Sequence, residues 1–233
     1  QELGGKSANI VFASADYQRA LDGALIGIFS NNGQQCLAGS RILVEEKIFD
    51  KFVEEFVQRT KKIVVGDPLH NETEIGPIAS KQHMERILSF AEGVQKDGDK
   101  LLVGGKRLPE QKDGYFIEPT AVMASSNNSR VCQEEIFGPV VCAQPFSDES
   151  LEKIATEANN TNFGLAASVW TKDISVAHKM AAKIRAGTVW VNCHNIFDAS
   201  LPFGGYKESG WGREMGHEVL KNYTEVKAVT VNL

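Results

Sequence analysis

The stretch SANIVFASADYQRALDGALIGIF, residues 7–29, decides the fold class. SANIVFA is a short apolar run with β-branched residues, which is typical of a buried strand. Ser14 and Asp16 follow it and are good helix caps, and YQRALDGALIGIF has the apolar spacing of an amphipathic helix. A buried strand joined closely to a helix is the repeating unit of α/β proteins.

The same alternation continues along the chain. We predict strands at residues 40–46, 99–105, 119–124, 139–146, 166–171, 187–192 and 224–233. We predict helices at residues 47–63, 80–98, 148–160 and 173–184, and around 216–222. Alternation with near-continuous apolar strands predicts an α/β fold with a mostly parallel twisted sheet and helices on both faces.

Composition excludes several classes of protein. The 233 residues suit one large domain or two small ones, and 25 basic against 30 acidic residues give a net charge of −5. This balance argues against a nucleic-acid partner or an anionic membrane surface, and no apolar run approaches the ~18 residues of a membrane span. Four widely spaced cysteines without a C-x-x-C pair favour free thiols in a reducing, cytoplasmic compartment. Because the sequence starts without Met and inside a dense motif, we expect it to continue a longer chain, so organellar targeting stays open.

Several familiar signatures fail on inspection. GYKESGWG has Trp211 where a P-loop needs Lys, and Met215 stands where a dinucleotide fingerprint needs Gly or Ala. HEVLK lacks the second His of a zinc protease, the five histidines form no metal spacing, and no G-x-S-x-G elbow is present. These absences count against hydrolase, nucleotidase and metalloenzyme functions, and we predict no metal site.

Cys36 lies in NNGQQCLAGSR, among amides and glycines that cannot titrate. This setting suits a thiol that a substrate must reach, but the thiol needs a base from elsewhere in the chain. Two carboxylates are candidates, Glu2 in ELGGK and Glu135 in EEIFGPV. Taken singly, each is more simply explained as a solvated surface residue.

Six motifs in order resemble one family. ELGGK, NNGQQC, EEIFGPV, NFGLAASVWT, GTVWVN and PFGGYKESGWGREMG resemble the NAD(P)-dependent aldehyde dehydrogenase superfamily over the whole chain, with that family's spacing. The closest resemblance is to its broad non-acylating branch. The resemblance implies the catalytic portion of such an enzyme, with the N-terminal coenzyme-binding portion missing from this chain.

The resemblance implies roles for individual residues. Cys36 matches the catalytic cysteine, which forms a thiohemiacetal and then a thioester with an aldehyde, and Glu2 matches the general base, whose pKa partial burial should raise. The amides and glycines near Cys36 would leave hydrogen bonds for an oxyanion. Glu135 matches the residue that holds the nicotinamide ribose, and Phe137 matches its neighbour. NAD is favoured over NADP as the cofactor.

Other matches are looser. Asn192, Phe197 and Phe203 fall where the family lines its aldehyde pocket, and His83 falls where several relatives carry a Gln that touches a cofactor ribose. The resemblance implies a catalytic domain at residues 1–204. It also implies a segment at 205–222 packing toward the coenzyme domain and a strand at 223–233 that pairs in a homo-oligomer, a dimer or tetramer. Two alternatives stay open: a non-catalytic assembly fragment and a cofactor-independent thiol esterase.

Overall fold

The computed structural model describes residues 1–108, 114–147 and 150–233. The strands are β1 Ala8–Val11, β2 Arg41–Glu45, β3 Lys100–Val103, β4 Thr120–Met123, β5 Val140–Phe146, β6 Phe163–Gly164, β7 Ala166–Trp170, β8 Thr188–Val191 and β9 Tyr206–Lys207. The α-helices are α1 Tyr17–Phe29, α2 Glu46–Thr60, α3 Lys81–Gly93, α4 Arg130–Gln133, α5 Leu151–Asn159, α6 Ile174–Lys183 and α7 Leu220–Tyr223.

Seven strands form one sheet in the order β3-β4-β5-β2-β1-β7-β8. Every neighbouring pair is parallel except β3 and β4, which pair antiparallel at the edge. β6 and β9 form a separate two-stranded antiparallel ribbon. The α/β fold with a mostly parallel sheet is therefore confirmed.

The two faces of the sheet carry separate apolar cores because successive strand side chains point to opposite faces. On β1, Val11 packs with residues of α1 and α2, whereas Ile10 packs with residues of α5 and α6. A third cluster forms where Ile87 and Phe90 of α3 meet Val140 of β5. Helices therefore cover both faces, as the apolar strands indicate.

Most helix boundaries follow from side-chain caps. The Asp16 carboxylate accepts a hydrogen bond from the Arg19 amide and starts α1, and the Ser80 hydroxyl does the same for the His83 amide at α3. α2 begins directly after β2, one residue earlier than predicted. The first two residues of the helix predicted at 148–160 lie outside the described residues.

The C-terminal part differs from the sequence prediction. The helix expected around residues 216–222 is the single turn Leu220–Tyr223, preceded by a turn. Residues 224–233 are exposed and join no strand ladder within the part of the chain that the structure describes. Their pairing with a second copy of the chain stays a prediction.

Candidate active site

The site lies at the end of the sheet where the parallel strands β1, β2 and β5 begin, next to their N-terminal residues. β1 and β2 pair in parallel with Ala8 opposite Arg41, so the segments that precede these strands run side by side. Glu2 comes six residues before Ala8, and Cys36 comes five residues before Arg41. The register of the two strands is why residues far apart in sequence meet.

The loop before Cys36 is fixed by its own amides. Asn31 and Asn32 have positive φ angles of 50° and 59°, a conformation that Asn tolerates well. The Asn32 side chain accepts from the Gly76 amide (2.9 Å) and donates to the Pro77 carbonyl (3.0 Å), and the Gln34 side chain accepts from the Ala79 amide (3.0 Å). These contacts hold the loop through the side-chain oxygens of Asn32 and Gln34 and the Asn32 amide nitrogen, and binding of an oxyanion near Cys36 stays a prediction.

Glycines bring the three motifs into contact. A Cβ on Gly5 would lie 2.0 Å from the Cys36 carbonyl oxygen, and a Cβ on Gly4 would lie 2.4 Å from Glu135 Oε2. A Cβ on Gly33 would lie 2.2 Å from the carbonyl oxygen of Gly138. Only glycine permits such close backbone approach, so ELGGK, NNGQQC and EEIFGPV are packed as one unit.

The Cys36 thiol is half-buried and lies between apolar and acidic neighbours. It packs against the cluster Leu37, Leu165, Ala166, Trp190 and Phe203. Burial raises the pKa of Cys36, and the charges of Glu2 and Glu135 raise it further, while backbone amides act in the opposite direction. The chain by itself therefore holds this sulfur as a protonated thiol at neutral pH.

Glu2 lies beside a second carboxylate that the sequence analysis missed. Its backbone is held by a bridge to Gly210, and the Leu3 amide donates to the Ser209 carbonyl (3.0 Å). Partial burial raises the pKa of Glu2, as expected from the sequence, and the neighbouring Glu214 raises it further. A motif match alone gives Glu214 no role, because the adjacency arises only in the fold.

Glu135 presents a half-buried carboxylate next to the Cys36 loop. Its Oε1 accepts a hydrogen bond from the Gly5 amide (2.9 Å), and its backbone carbonyl accepts one from the Arg86 guanidinium (2.7 Å). Burial raises the pKa of Glu135, against the lowering effects of the Gly5 amide, Lys6 and Arg86. One carboxylate oxygen is thus fixed, and Oε2 has no hydrogen bond within the described structure.

Phe137 and His83 form one contact at the end of the same turn. Phe137 has a positive φ of 59° and a ring that is 38% exposed. His83, on α3, places Nε2 2.6 Å from the Phe137 carbonyl oxygen, and the two ring centroids are 6.0 Å apart. His83 therefore supports the turn, and its predicted contact with a cofactor ribose stays a prediction.

The predicted aldehyde-pocket residues separate into two groups. Phe197 is 47% exposed and packs edge-on against Phe203 (5.3 Å) and Trp190 (5.9 Å), and buried Phe203 belongs to the Cys36 cluster. Asn192 instead commits its amide to the Thr171 backbone, accepting from the amide at 3.0 Å and donating to the carbonyl at 2.9 Å. The aromatic pair therefore fits an apolar wall, while Asn192 ties two strand ends.

A buried histidine supports the Cys36 loop from below. His194 is 6% exposed, hydrogen-bonds Ser168 through Nδ1, and lies against the backbone of Gly27 and Gly39. The Gly39 amide donates to the Gly27 carbonyl at 2.8 Å, so the ring lies where helix α1 joins the loop. Burial lowers the pKa of His194 to about 4, which keeps the ring neutral.

Two surface cavities differ in whether they border the predicted site residues. A pocket of about 240 Å³ is lined by Gln1, Glu2, Trp211, Gly212, Arg213, Glu214 and Asn222. A larger groove of about 940 Å³ between α1 and α2 borders none of the predicted site residues. Chemistry rather than size identifies the smaller pocket as the relevant one, because it holds the carboxylate pair.

Residues 1–108, 114–147 and 150–233 hold neither a membrane-spanning helix nor a metal-ligand cluster. No helix there is long and apolar enough to cross a membrane. No cluster of three or more His, Cys, Asp or Glu side chains there has the arrangement of a metal site.

Comparison with known proteins places the chain in a family. Residues 1–229 match the aldehyde dehydrogenase family profile. The chain is 48% identical to aldehyde dehydrogenase 1A1 of Gallus gallus and 47% identical to betaine aldehyde dehydrogenase of Bacillus subtilis, covering 100% and 99% of this chain but 45% and 47% of those proteins. The NAD⁺ complex of an aldehyde dehydrogenase from Bacillus cereus superposes with a TM-score of 0.95 at 45% identity, over 100% of this chain and 46% of that one. The chain spans about half the length of the relatives it matches, and it belongs to the aldehyde dehydrogenase family.

Proposed function

We propose that this chain carries the catalytic residues of an enzyme that oxidises an aldehyde to a carboxylic acid with NAD(P)⁺. The observation that carries the proposal is the close packing around Gly5, whose backbone contacts both the Cys36 loop and the Glu135 carboxylate. It puts a candidate nucleophile and a candidate cofactor ligand on adjacent backbones. Membership of the aldehyde dehydrogenase family supports the reaction class.

Cys36 and Glu2 divide the covalent chemistry. The Cys36 sulfur adds to the aldehyde carbonyl to form a thiohemiacetal, and loss of hydride from that carbon leaves a thioester. Because the surroundings raise the pKa of the thiol, the thiol needs a nearby proton acceptor before it can attack. Glu2, whose pKa is also raised, is close enough to influence Cys36 electrostatically and suits that role.

Glu2 then acts a second time, as the base that takes a proton from the water that hydrolyses the thioester. Burial and Glu214 bring its pKa closer to neutrality, where a general base works best. The backbone amides of Cys36 and Leu37, which favour the thiolate, remain as candidates to stabilise the oxyanion.

The residues at the Glu135 turn fit a nicotinamide nucleotide. Oε2 of Glu135 is a free acceptor for ribose hydroxyls. The exposed ring of Phe137, two residues further along, offers an apolar surface for the nicotinamide end of the nucleotide. When bound, the nicotinamide ring would accept the hydride. Relatives solved with NAD⁺ favour NAD over NADP, while this chain holds no described contact that distinguishes the two.

The aromatic wall defines the substrate class that we propose. Phe197 packs edge to face against both Trp190 and Phe203, which belong to the cluster that Cys36 contacts. Such a surface suits the apolar tail of an aldehyde. We further propose that the complete protein is a homo-oligomer in which residues 223–233 pair with a second copy, since exposed Val229, Val231 and Leu233 alternate with the polar residues Thr230 and Asn232 there.

Removal of the Cys36 sulfur tests the proposal directly. In the complete protein, Cys36→Ala should abolish NAD-dependent aldehyde oxidation, measured by nicotinamide absorbance, while circular dichroism stays unchanged. Cys193→Ala, at the other half-buried cysteine, is the matched control and should retain much of the activity. Aldehyde oxidation by the Cys36→Ala protein would refute the assignment.

Glu2→Gln distinguishes the two roles of the base. Gln keeps size and hydrogen bonding but takes no proton. Because the thiol can still lose its proton to water, we expect a slowed burst of reduced cofactor of at most one equivalent, which reports the first role, and then a steady state slower by about 10²–10⁴-fold, which reports the second. A steady state as fast as that of the unmodified protein would show that another group hydrolyses the thioester. Ester hydrolysis without NAD, in a protein that does not oxidise aldehydes, would support the thiol esterase alternative.

A further inference from the structure

A buried pair of cysteines lies directly beneath the Glu135 turn. Cys132 lies in the short helix α4, and Cys142 lies on β5. Their sulfurs are 3.2 Å apart, and the two residues are 0% and 2% exposed. Neither cysteine has a role in the proposed reaction.

Two buried cations accompany these thiols. Lys6 is 2% exposed, and its Nζ has no hydrogen-bond partner in the described part of the structure. Arg41 is 1% exposed and donates to the carbonyl oxygens of Lys6 (3.0 Å) and Ala158 (2.6 Å). A buried ammonium without a partner is costly, so the surroundings of Lys6 should supply a negative charge.

Burial itself lowers the pKa of Lys6, and both the Cys142 sulfur and the Glu135 carboxylate act on its charge in the opposite direction. The hydrogen bond from Cys132 lowers the pKa of Cys142, and Lys6 and Arg41 lower it further against the effect of burial. The same hydrogen bond raises the pKa of Cys132, so this sulfur keeps its proton. Of these two sulfurs, 3.2 Å apart, Cys142 is therefore the more easily ionised, although its Sγ also lies 3.5 Å from the Ser40 carbonyl oxygen, and an ionisable thiol beside a second thiol is the arrangement that makes a cysteine pair reactive.

We propose that Cys132 and Cys142 are a peroxide-sensitive dithiol that closes to a disulfide beneath the Glu135 turn. The Cys142 thiolate attacks one oxygen of hydrogen peroxide, which gives a sulfenic acid and hydroxide. The Cys132 sulfur then attacks the sulfenic sulfur, and its proton leaves with the hydroxyl group as water. Two thiols and one peroxide thus give one disulfide and two waters.

Burial selects the oxidant and protects the product. Hydrogen peroxide is small enough to enter during brief local openings, whereas glutathione disulfide is too large to reach sulfurs that are almost fully covered. For the same reason, added thiols should reduce the disulfide only slowly in the folded protein. This selectivity separates the pair from an exposed redox cysteine.

Closing the bond should disturb the cofactor site. The sulfurs must approach from 3.2 Å to about 2.05 Å, and Glu135 follows Cys132 by only three residues. Because the Glu135 carboxylate is hydrogen-bonded to the Gly5 amide, a shift of its backbone strains that contact. This coupling rests on the proposed function, whereas the disulfide itself does not.

Mass spectrometry of the Cys36→Ala protein tests the disulfide without interference from the catalytic thiol. After hydrogen peroxide treatment, the tryptic peptide of residues 131–153, which holds both cysteines, should lose two hydrogen atoms and resist iodoacetamide after unfolding. Adding Cys193→Ala should leave this loss unchanged, and adding Cys142→Ala should abolish it. Two alkylatable thiols after treatment, or a peptide that gains only oxygen, would overturn the proposal.

Three further measurements test separate parts of the proposal. Lys6→Met should slow the cross-link by about three-fold for each unit by which the Cys142 pKa rises, because the ten-fold loss of thiolate is partly offset by higher nucleophilicity. If that variant does not fold, the peptide mass still decides the proposal. In the complete Cys36→Ala protein, NAD affinity should fall after cross-linking, as measured by calorimetry. A cross-link that forms without weakening NAD would overturn the coupling alone, and equally rapid cross-linking by glutathione disulfide would overturn the selection by burial.

Discussion

Among the glycines that bring the three motifs together, Gly4, Gly5 and Gly33, replacement of Gly5 by Ala should disturb the site most. The new Cβ would lie 2.0 Å from the Cys36 carbonyl oxygen, whereas real Cβ contacts are almost never below 3.0 Å, so one backbone must move by about 1 Å. Overpacking of this kind costs about 1–3 kcal/mol in the free energy of unfolding. For a chain of this size that corresponds to a fall in Tm of roughly 2–12 °C.

The effect on catalysis should be larger than the effect on stability. A displacement of about 1 Å at the nucleophile can cost about 10²-fold in kcat. Gly93→Ala is the matched control, because its Cβ would meet only Asp97 Oδ2 at an ordinary 3.5 Å and should leave kcat unchanged. Calorimetry gives Tm, and the rate of iodoacetamide labelling reports the Cys36 thiol. A Gly5→Ala protein with unchanged Tm, kcat and labelling rate would refute the close packing of the two motifs.

Three other substitutions test separate features. Glu214→Gln removes a charge that raises the pKa of Glu2, so the acid limb of the pH–kcat profile should move to lower pH; an unmoved or raised limb would contradict the pairing. Folding lowers the pKa of His194 from about 6.5 to about 4. The free energy of unfolding should therefore fall by roughly 3 kcal/mol as the pH drops from 6.5 toward 4. His194→Phe should flatten this pH dependence in urea titrations. Asn192→Ala leaves the Thr171 amide unpaired and should cost roughly 1–3 kcal/mol in the same assay, with a midpoint equal to that of the unmodified protein counting against the role.

The fold was predictable because its elements carry strong local signals. α1 has Asp16 as its cap and a regular apolar face, and β1 is a short β-branched run, so both were placed from the sequence. The order of the strands was not predicted, since pairing between β2 and β5 depends on contacts across almost 100 residues. The C-terminal helix is one turn long, shorter than predicted, because none of its residues is buried against the rest of the protein.

The site was predictable only in part. Cys36, Glu2 and Glu135 came from motif resemblance, and the structure shows the contacts between their segments. Glu214 was missed because its closeness to Glu2 is created by backbone pairing between distant segments, Phe203 with Glu214 and Glu2 with Gly210. The hydrogen bonds of the Asn32 and Gln34 side chains were also beyond the sequence, since it shows which groups can bond but not which partners they take.

Because the site lies at the end of the sheet where the strands begin, changes in the sequence are constrained at that end and better tolerated at the opposite end. Segments that enter β1, β2 and β5 converge on Cys36, whereas the turns that leave β1 and β7 meet one another at the opposite end through the Ser14 and Thr171 hydroxyls (2.7 Å). Lengthening the exposed turn around Ser14, as opposed to the turn at buried Thr171 that Asn192 holds, should leave the register of Ala8 and Arg41 intact. Peptide tags, spacers or natural insertions can therefore accumulate there without passing near the chemistry, and the two ends are free to diversify at different rates.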